Sequence, residues 1–174
     1  MKILLLTDMP PTLDYTAGIF LENMLKTIPK ENIACFTVLN KSLKPILTAN
    51  AASVPYKVLR KPRENWGIYF GGNILSLVME PLIARFSIPS VARKVVQFAK
   101  SQKVDKIWVT LEGQTMIRLA YLVSQMTDIP LYSQVYDPPQ WWMRANKVNH
   151  FITNSVIDLF SKILQESKKC ALAS

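Results

Sequence analysis

Ile3, Leu4, Leu5 and Leu6 follow one another inside residues 2–7 with no polar side chain between them. A strand with one wet face alternates apolar and polar residues. A run without alternation has to be covered on both faces, as in a parallel sheet with helices above and below. Parallel neighbours need long crossover connections, and the remaining chain supplies them. The loop 8–18 leads into a helix expected over 18–28. There Leu21, Met24, Leu25 and Ile28 fall at i, i+3, i+4 and i+7, and Pro29 stops it. Residues 33–39 and 54–59 read as strands. Residues 66–72 read as a loop, and 73–86 as a helix kinked at Pro81. Ser90 is the expected cap of the next helix, whose stripe is Ala92, Val95, Val96 and Ala99. Residues 106–111 form the next strand, 112–114 a turn, and 115–126 a helix with Met116, Leu119, Ala120 and Val123 on one face. A strand over 131–136 follows, then a loop over 137–142 in which two prolines remove sheet donors. Residues 148–153 read as a last strand. Ser155 and Asp158 have capping-box spacing ahead of a helix carrying Val156, Leu159, Phe160 and Ile163. Strands separated by such helices give right-handed βαβ units, so the fold class is α/β with helices on both faces of a parallel sheet.

Length and composition bound what this fold can do. A chain of 174 residues, 49% hydrophobic and 19% charged, suits one packed domain. Two cysteines, Cys35 and Cys170, and the single His150 leave no metal-like spacing, so neither a metal nor a Cys/His nucleophile pair is expected. His150, at the start of the expected last strand, is read as structural. The apolar start is too short for a signal-peptide core. The stretch 74–88 is interrupted by Glu80, Pro81 and Arg85, so no membrane span is expected. A cytoplasmic location, with peripheral attachment at the inner membrane face, is the expectation. The net charge of +9 is uneven: residues 41–63 hold six cations (Lys41, Lys44, Lys57, Arg60, Lys61, Arg63) and no anion. With Trp66, Tyr69 and Phe70 just beyond, this stretch suits an anionic membrane surface, or equally a solvated basic surface. No nucleic-acid motif accompanies it, and nucleic acid is not an expected partner.

In open parallel sheets, ligands bind beyond the carboxyl ends of the strands. The loops 8–18, 112–114 and 136–142 are therefore expected at one edge. Gly18 at a helix entry suits close approach of a ligand, or equally a tight turn or packing. Neither G-x-G-x-x-G nor a P-loop occurs, which counts against a nucleotide-dependent Rossmann enzyme. Glu112 and Asp137 each follow a strand end. As the expected catalytic carboxylates they would orient sugar hydroxyls or act as acid and base; helix capping is the alternative. Tyr15, Gly18, Tyr136, Gln140 and Trp141 are the expected substrate-binding residues. Aromatic rings suit the apolar faces of sugars, while Trp141 and Trp142 equally suit packing against another domain.

Several segments together resemble one family. The opening strand, the proline-rich loop and Gly18-Ile19-Phe20-Leu21-Glu22-Asn23-Met24-Leu25 are similar to the start of family 4 glycosyltransferases of the GT-B fold. Val104-Asp105-Lys106-Ile107-Trp108-Val109 resembles an inner strand of that family. Ile129 to Asp137 resembles the strand that often ends in His-Asp, with Tyr136 at the histidine's place. Phe151-Ile152-Thr153-Asn154-Ser155 resembles the strand before the last helix of the N-terminal domain. The resemblance implies a Rossmann-like half-domain over 1–174 that binds the acceptor in a retaining sugar transfer from a nucleotide sugar, without a cofactor. The chain ends at Ser174, about where a donor-binding C-terminal domain would begin, so that domain is expected to be absent here and this half alone to be inactive. Its expected partners are a saccharide or lipid-linked acceptor, a nucleotide sugar only with that second half, and a partner subunit or second copy. The competing expectation is a non-catalytic α/β binding domain.

Overall fold

The computed structural model describes residues 1–64 and 72–172. Trp66, Tyr69 and Phe70, with most of the expected 66–72 loop, lie outside the described residues. The described strands are β1 (Ile3–Thr7), β2 (Ile33–Leu39), β3 (Tyr56–Arg60), β4 (Lys106–Thr110), β5 (Leu131–Val135) and β6 (Lys169–Leu172). They form one sheet in the order β3-β2-β1-β4-β5-β6, and every pairing is parallel. This is the doubly wound, Rossmann-like order, with its switch point between β1 and β4.

Period-two alternation explains why the sheet needs cover on both sides. Leu4, Leu6, Ala34, Phe36, Val38, Ile107 and Val109 face one way and pack with α4 (Ile88–Ser101), α5 (Gly113–Met126) and α7 (His150–Glu166). Ile3, Leu5, Ile33 and Cys35 face the other way, toward α1 (Thr16–Thr27) and the short α2 (Ala49–Ala52). Burying one such leucine side chain fully is worth about 1.5–3 kcal/mol. The expected helical stripes are the buried ones: Leu21 and Leu25 on α1, Ala92 to Ala99 on α4, and Met116 to Val123 on α5. Glu22 is a buried carboxylate with a structural task. It accepts hydrogen bonds from Thr48 Oγ1 and from Asn50 Nδ2 (2.7 Å), tying α1 to α2.

Several elements differ from expectation. Residues 148–153 are not a strand. Asn149 Oδ1 accepts the Phe151 N–H at 3.0 Å and starts α7, so His150 is the first residue of a helix, and Ser155 and Asp158 lie inside it rather than capping it. Ile152, Val156 and Ile163 are buried at helical spacing, which a strand could not achieve. The last strand is instead β6, short and largely exposed, which pairs with β5 at the sheet edge. Residues 137–142 are not all loop: α6 spans Pro139–Ala145, because proline lacks only a donor that a first helical turn leaves unused. Ser90 caps nothing, for it lies inside α4. The helix there is continuous. α3 (Gly72–Leu82) contains Pro81 and passes through a π-helical turn, Ile83–Ser87, closed by the Ile88 N–H to Ile83 O bond, into α4. Pro81 thus marks a helix irregularity rather than an end.

Candidate functional site

The parallel register sends β1, β3, β4 and β5 out of the sheet at the same edge, and each is followed within two residues by a charged or phenolic side chain. Thr7 closes β1 by donating from Oγ1 to Met9 O (2.6 Å), which turns the chain just past Asp8. β3 is prolonged by the Lys61 N–H bond to Leu39 O (2.9 Å), which fixes Lys61 beside β2. Glu112 follows β4, and Tyr136 and Asp137 follow β5. The ammonium of Lys61, almost fully buried, lies 2.5 Å from Glu64 Oε2 and 3.9 Å from Asp8 Oδ2.

Glu64 also closes the start of α5. Its Oε1 accepts the Thr115 N–H at 2.6 Å, and its carbonyl accepts from Gln114 Nε2 at 3.1 Å. The turn into α5 needs a glycine: Gly113 has φ +73°, and a Cβ there would lie 3.0 Å from the Trp142 ring and 3.4 Å from Glu64 Oε1. Beside this corner is a cleft of about 170 Å³ lined by Asn40, Lys41, Lys61, Glu64, Trp142 and Asn146.

Burial and crowding set the protonation states. Burial pushes the Asp8 carboxyl up to about 7; Lys61 pulls it down, while Glu112 and Glu64 push it further up. Glu112 is raised by burial, opposed by Lys61 and reinforced by Asp137 and Glu64. Burial alone would lower Lys61, but attraction to Glu64 and Asp8 outweighs it, so the ammonium stays charged. Tyr136 is kept protonated by burial and by the carboxylates of Asp8 and Glu112, and its hydroxyl has no hydrogen-bond partner among the described residues.

The residues expected from the sequence are distributed as follows. Glu112, Asp137 and Tyr136 share this electrostatic cluster, and the Phe20 ring of α1 stands edge-on to Tyr136 at 6.1 Å. Tyr15 is the N-cap position of α1, while Gln140 and Trp141 are exposed on α6. Gly18 is buried. Its missing Cβ leaves room for Thr12 Cγ2 and lies 3.0 Å from Pro10 O, so packing of the loop against α1 accounts for the glycine. Sequence reasoning missed Asp8, Lys61, Glu64 and Gly113 as members of the cluster. Asp8 had a signal, being the first polar residue past an apolar strand. Glu64 had none, because its partner Thr115 is 51 residues away. Among the described residues, no three His, Cys, Asp or Glu side chains come together as a metal-binding set.

The fold and this edge define an α/β domain with a charged cleft at the carboxyl ends of a doubly wound sheet. No family model matches the chain, and no curated protein does. Among solved structures it is similar to a spinosyn rhamnosyltransferase, SpnG, complexed with thymidine diphosphate, at 13% identity and a TM-score of 0.44. The match covers 90% of this chain and 41% of that one. The fold assignment rests on the chain's own strand order and parallel register.

Proposed function

We propose that this chain is the acceptor-binding half of a retaining glycosyltransferase, which passes a sugar from a nucleotide sugar to a saccharide or lipid-linked acceptor once a donor-binding half completes the site. The observation that carries the reading is the occupied start of α5. A helix N-terminus at a sheet edge ordinarily attracts a phosphate. Here the chain's own Glu64 carboxylate fills it, Asp8 and Glu112 also stand near the Lys61 ammonium, and Asp137 stands near Glu112, while Lys41 and Arg63 line the adjoining cleft. The carboxylates at this helix start disfavour the anionic groups of a nucleotide there and favour a neutral ligand rich in hydroxyls, which carboxylates bind as acceptors. The resemblance to family 4 supports the same assignment. In this reading Asp137 and Glu112 orient the acceptor hydroxyl and receive its proton. Burial raises the Glu112 carboxyl above the usual glutamate range, so it takes up a proton more readily than a free glutamate does. Tyr15, Tyr136, Gln140 and Trp141 offer rings and an amide to the sugar. Leu13, Ile19, Phe20, Trp141 and Phe151, exposed on the loop after β1 and on α1, α6 and α7, suit the cover of a second domain.

The test is calorimetric titration of the purified chain with a saccharide panel and, separately, with nucleotide sugars. Saccharide binding is expected. Asp137→Asn and Glu112→Gln should each weaken it about tenfold to a hundredfold, the usual cost of losing a charged hydrogen bond. Tighter binding of nucleotide sugars than of any saccharide, or sugar transfer by the isolated chain, would overturn the assignment.

A further inference from the structure

α3 is packed inside out. Among its described side chains the buried ones are Ser76, fully covered, and Glu80, 3% exposed, whereas Ile74, Leu77, Val78 and Leu82 are 76%, 42%, 56% and 46% exposed. The apolar residues share one side of the helix at i, i+3, i+4 and i+8, and Phe86 in the π-helical turn, 63% exposed, follows them. A surface helix ordinarily turns its apolar stripe inward, so a contiguous bare stripe marks a face that a partner covers.

Charge identifies the partner. From Ile74 to Ser101 the helix carries four exposed cations, Arg85, Arg93, Lys94 and Lys100, and its single carboxylate, Glu80, is turned inside. Arg85 lies over the Phe86 ring at 6.0 Å, a cation beside an aromatic at the end of the apolar stripe. Apolar side chains flanked by cations alone fit an anionic lipid surface, where the former reach the acyl boundary and the latter the head groups. The segment has a window of mean hydropathy 1.5 and spans 28 residues, the length of a membrane crossing. Packing excludes that role: Ile88, Ala92, Val95 and Ala99 hold the α4 half against the sheet, and withdrawing them would empty the core.

We propose that the outer face of α3 and its π-helical turn docks the protein flat on an anionic lipid bilayer, with Ile74, Leu77, Val78, Leu82 and Phe86 entering the interface and Arg85, Arg93 and Lys94 meeting the head groups. The proposal stands whether or not the cleft binds a sugar acceptor.

Co-sedimentation of the full chain with phosphatidylcholine vesicles, with and without phosphatidylglycerol, tests it. Binding is expected only when phosphatidylglycerol is present, and should fall as salt is raised. Val78→Ser with Phe86→Ser should reduce it to background. Both sites are exposed, so circular dichroism and the thermal midpoint should stay at wild-type values. Arg93→Gln and Lys94→Gln should each lower partitioning about fivefold, the equivalent of about 1 kcal/mol per cation. Equal binding to both kinds of vesicle, wild-type binding by the serine variant, or no vesicle binding with a dimer in light scattering that the serine variant abolishes would each overturn the proposal. The saccharide titration described above reads the cleft independently, so failure of either reading leaves the other measurable.

Discussion

A methyl group added at Gly18 would overlap Thr12 Cγ2, and Thr12 is not free to turn away. Its Oγ1 donates to Ile46 O at 2.8 Å and contacts Asp14 Oδ2 at 2.9 Å, and its backbone N–H is bonded to Gly18 O at 3.3 Å. Gly18→Ala is therefore expected to destabilise the protein by about 1–3 kcal/mol through overpacking. Thr12→Ser removes the obstructing methyl and keeps the hydroxyl, so the double variant should regain a good part of that loss. Urea unfolding of the four proteins in a double-mutant cycle measures the coupling. Additive losses would show that the Thr12 methyl is not what excludes a side chain at position 18. The presence of a glycine at this helix entry was legible in the sequence. Whether it made room for a ligand or for Thr12 was not, because the answer depends on how the loop folds back.

Among the elements, α7 departs most from its sequence reading. Val148, Phe151, Ile152 and Thr153 are strand-prone residues, and in isolation their branched and aromatic side chains outweigh helix propensity. Tertiary burial reverses the preference: Ile152, Val156 and Ile163 go under α7 against the main core, and Asn149 supplies the cap. Asn149→Ala should cost about 1 kcal/mol in denaturant unfolding, whereas Ser155→Ala, at a position exposed inside the helix, should change little. Comparable losses at the two positions would argue for a helix that begins at Ser155. β6 went unread for a complementary reason. Lys169 and Cys170 are exposed, and the strand exists through its backbone bonds to β5 rather than through apolar side chains. By contrast Ile33–Leu39, buried at every position, was readable residue for residue.

For the whole molecule, the buried carboxyls set an unusual dependence of stability on pH. Asp8 and Glu80 are both pushed up to about 7, and Glu112 is also raised, in each case chiefly by burial. Free in the unfolded chain, such groups ionise near 3.8 for aspartate and 4.5 for glutamate. Between about pH 4 and about pH 7 the folded state therefore holds more protons than the unfolded one. The stability these groups allow is fully present below their unfolded values and is lost as pH rises toward 7. Each contributes a slope of up to about 1.4 kcal/mol per pH unit. Asp14, lowered mainly by the Ile46 N–H and also by Thr12, acts in the opposite sense, but only below its usual range. Chemical denaturation is thus expected to show stability falling from weakly acid to neutral pH, and Asp8→Asn with Glu80→Gln should flatten the curve. A wild-type stability that climbs across that interval would contradict the burial of these groups.

Local order along the chain was enough to determine the class of fold. Short apolar runs without alternation, set between helical stripes, fit strands covered on both faces, with those helices as the covers. It also indicated that Glu112, Tyr136 and Asp137 would emerge at one edge, since parallel strands leave the sheet in the same direction. Tertiary structure alone brought Lys61 and Glu64 to Asp8 and to the start of α5, and it alone turned Ser76 and Glu80 inward while leaving Ile74 and Val78 bare. The physical reason is range. Periodicity reports which faces of a segment are apolar, whereas a buried charge is decided by partners tens of residues away, and which face of a helix meets the body is decided by what the body presents to it.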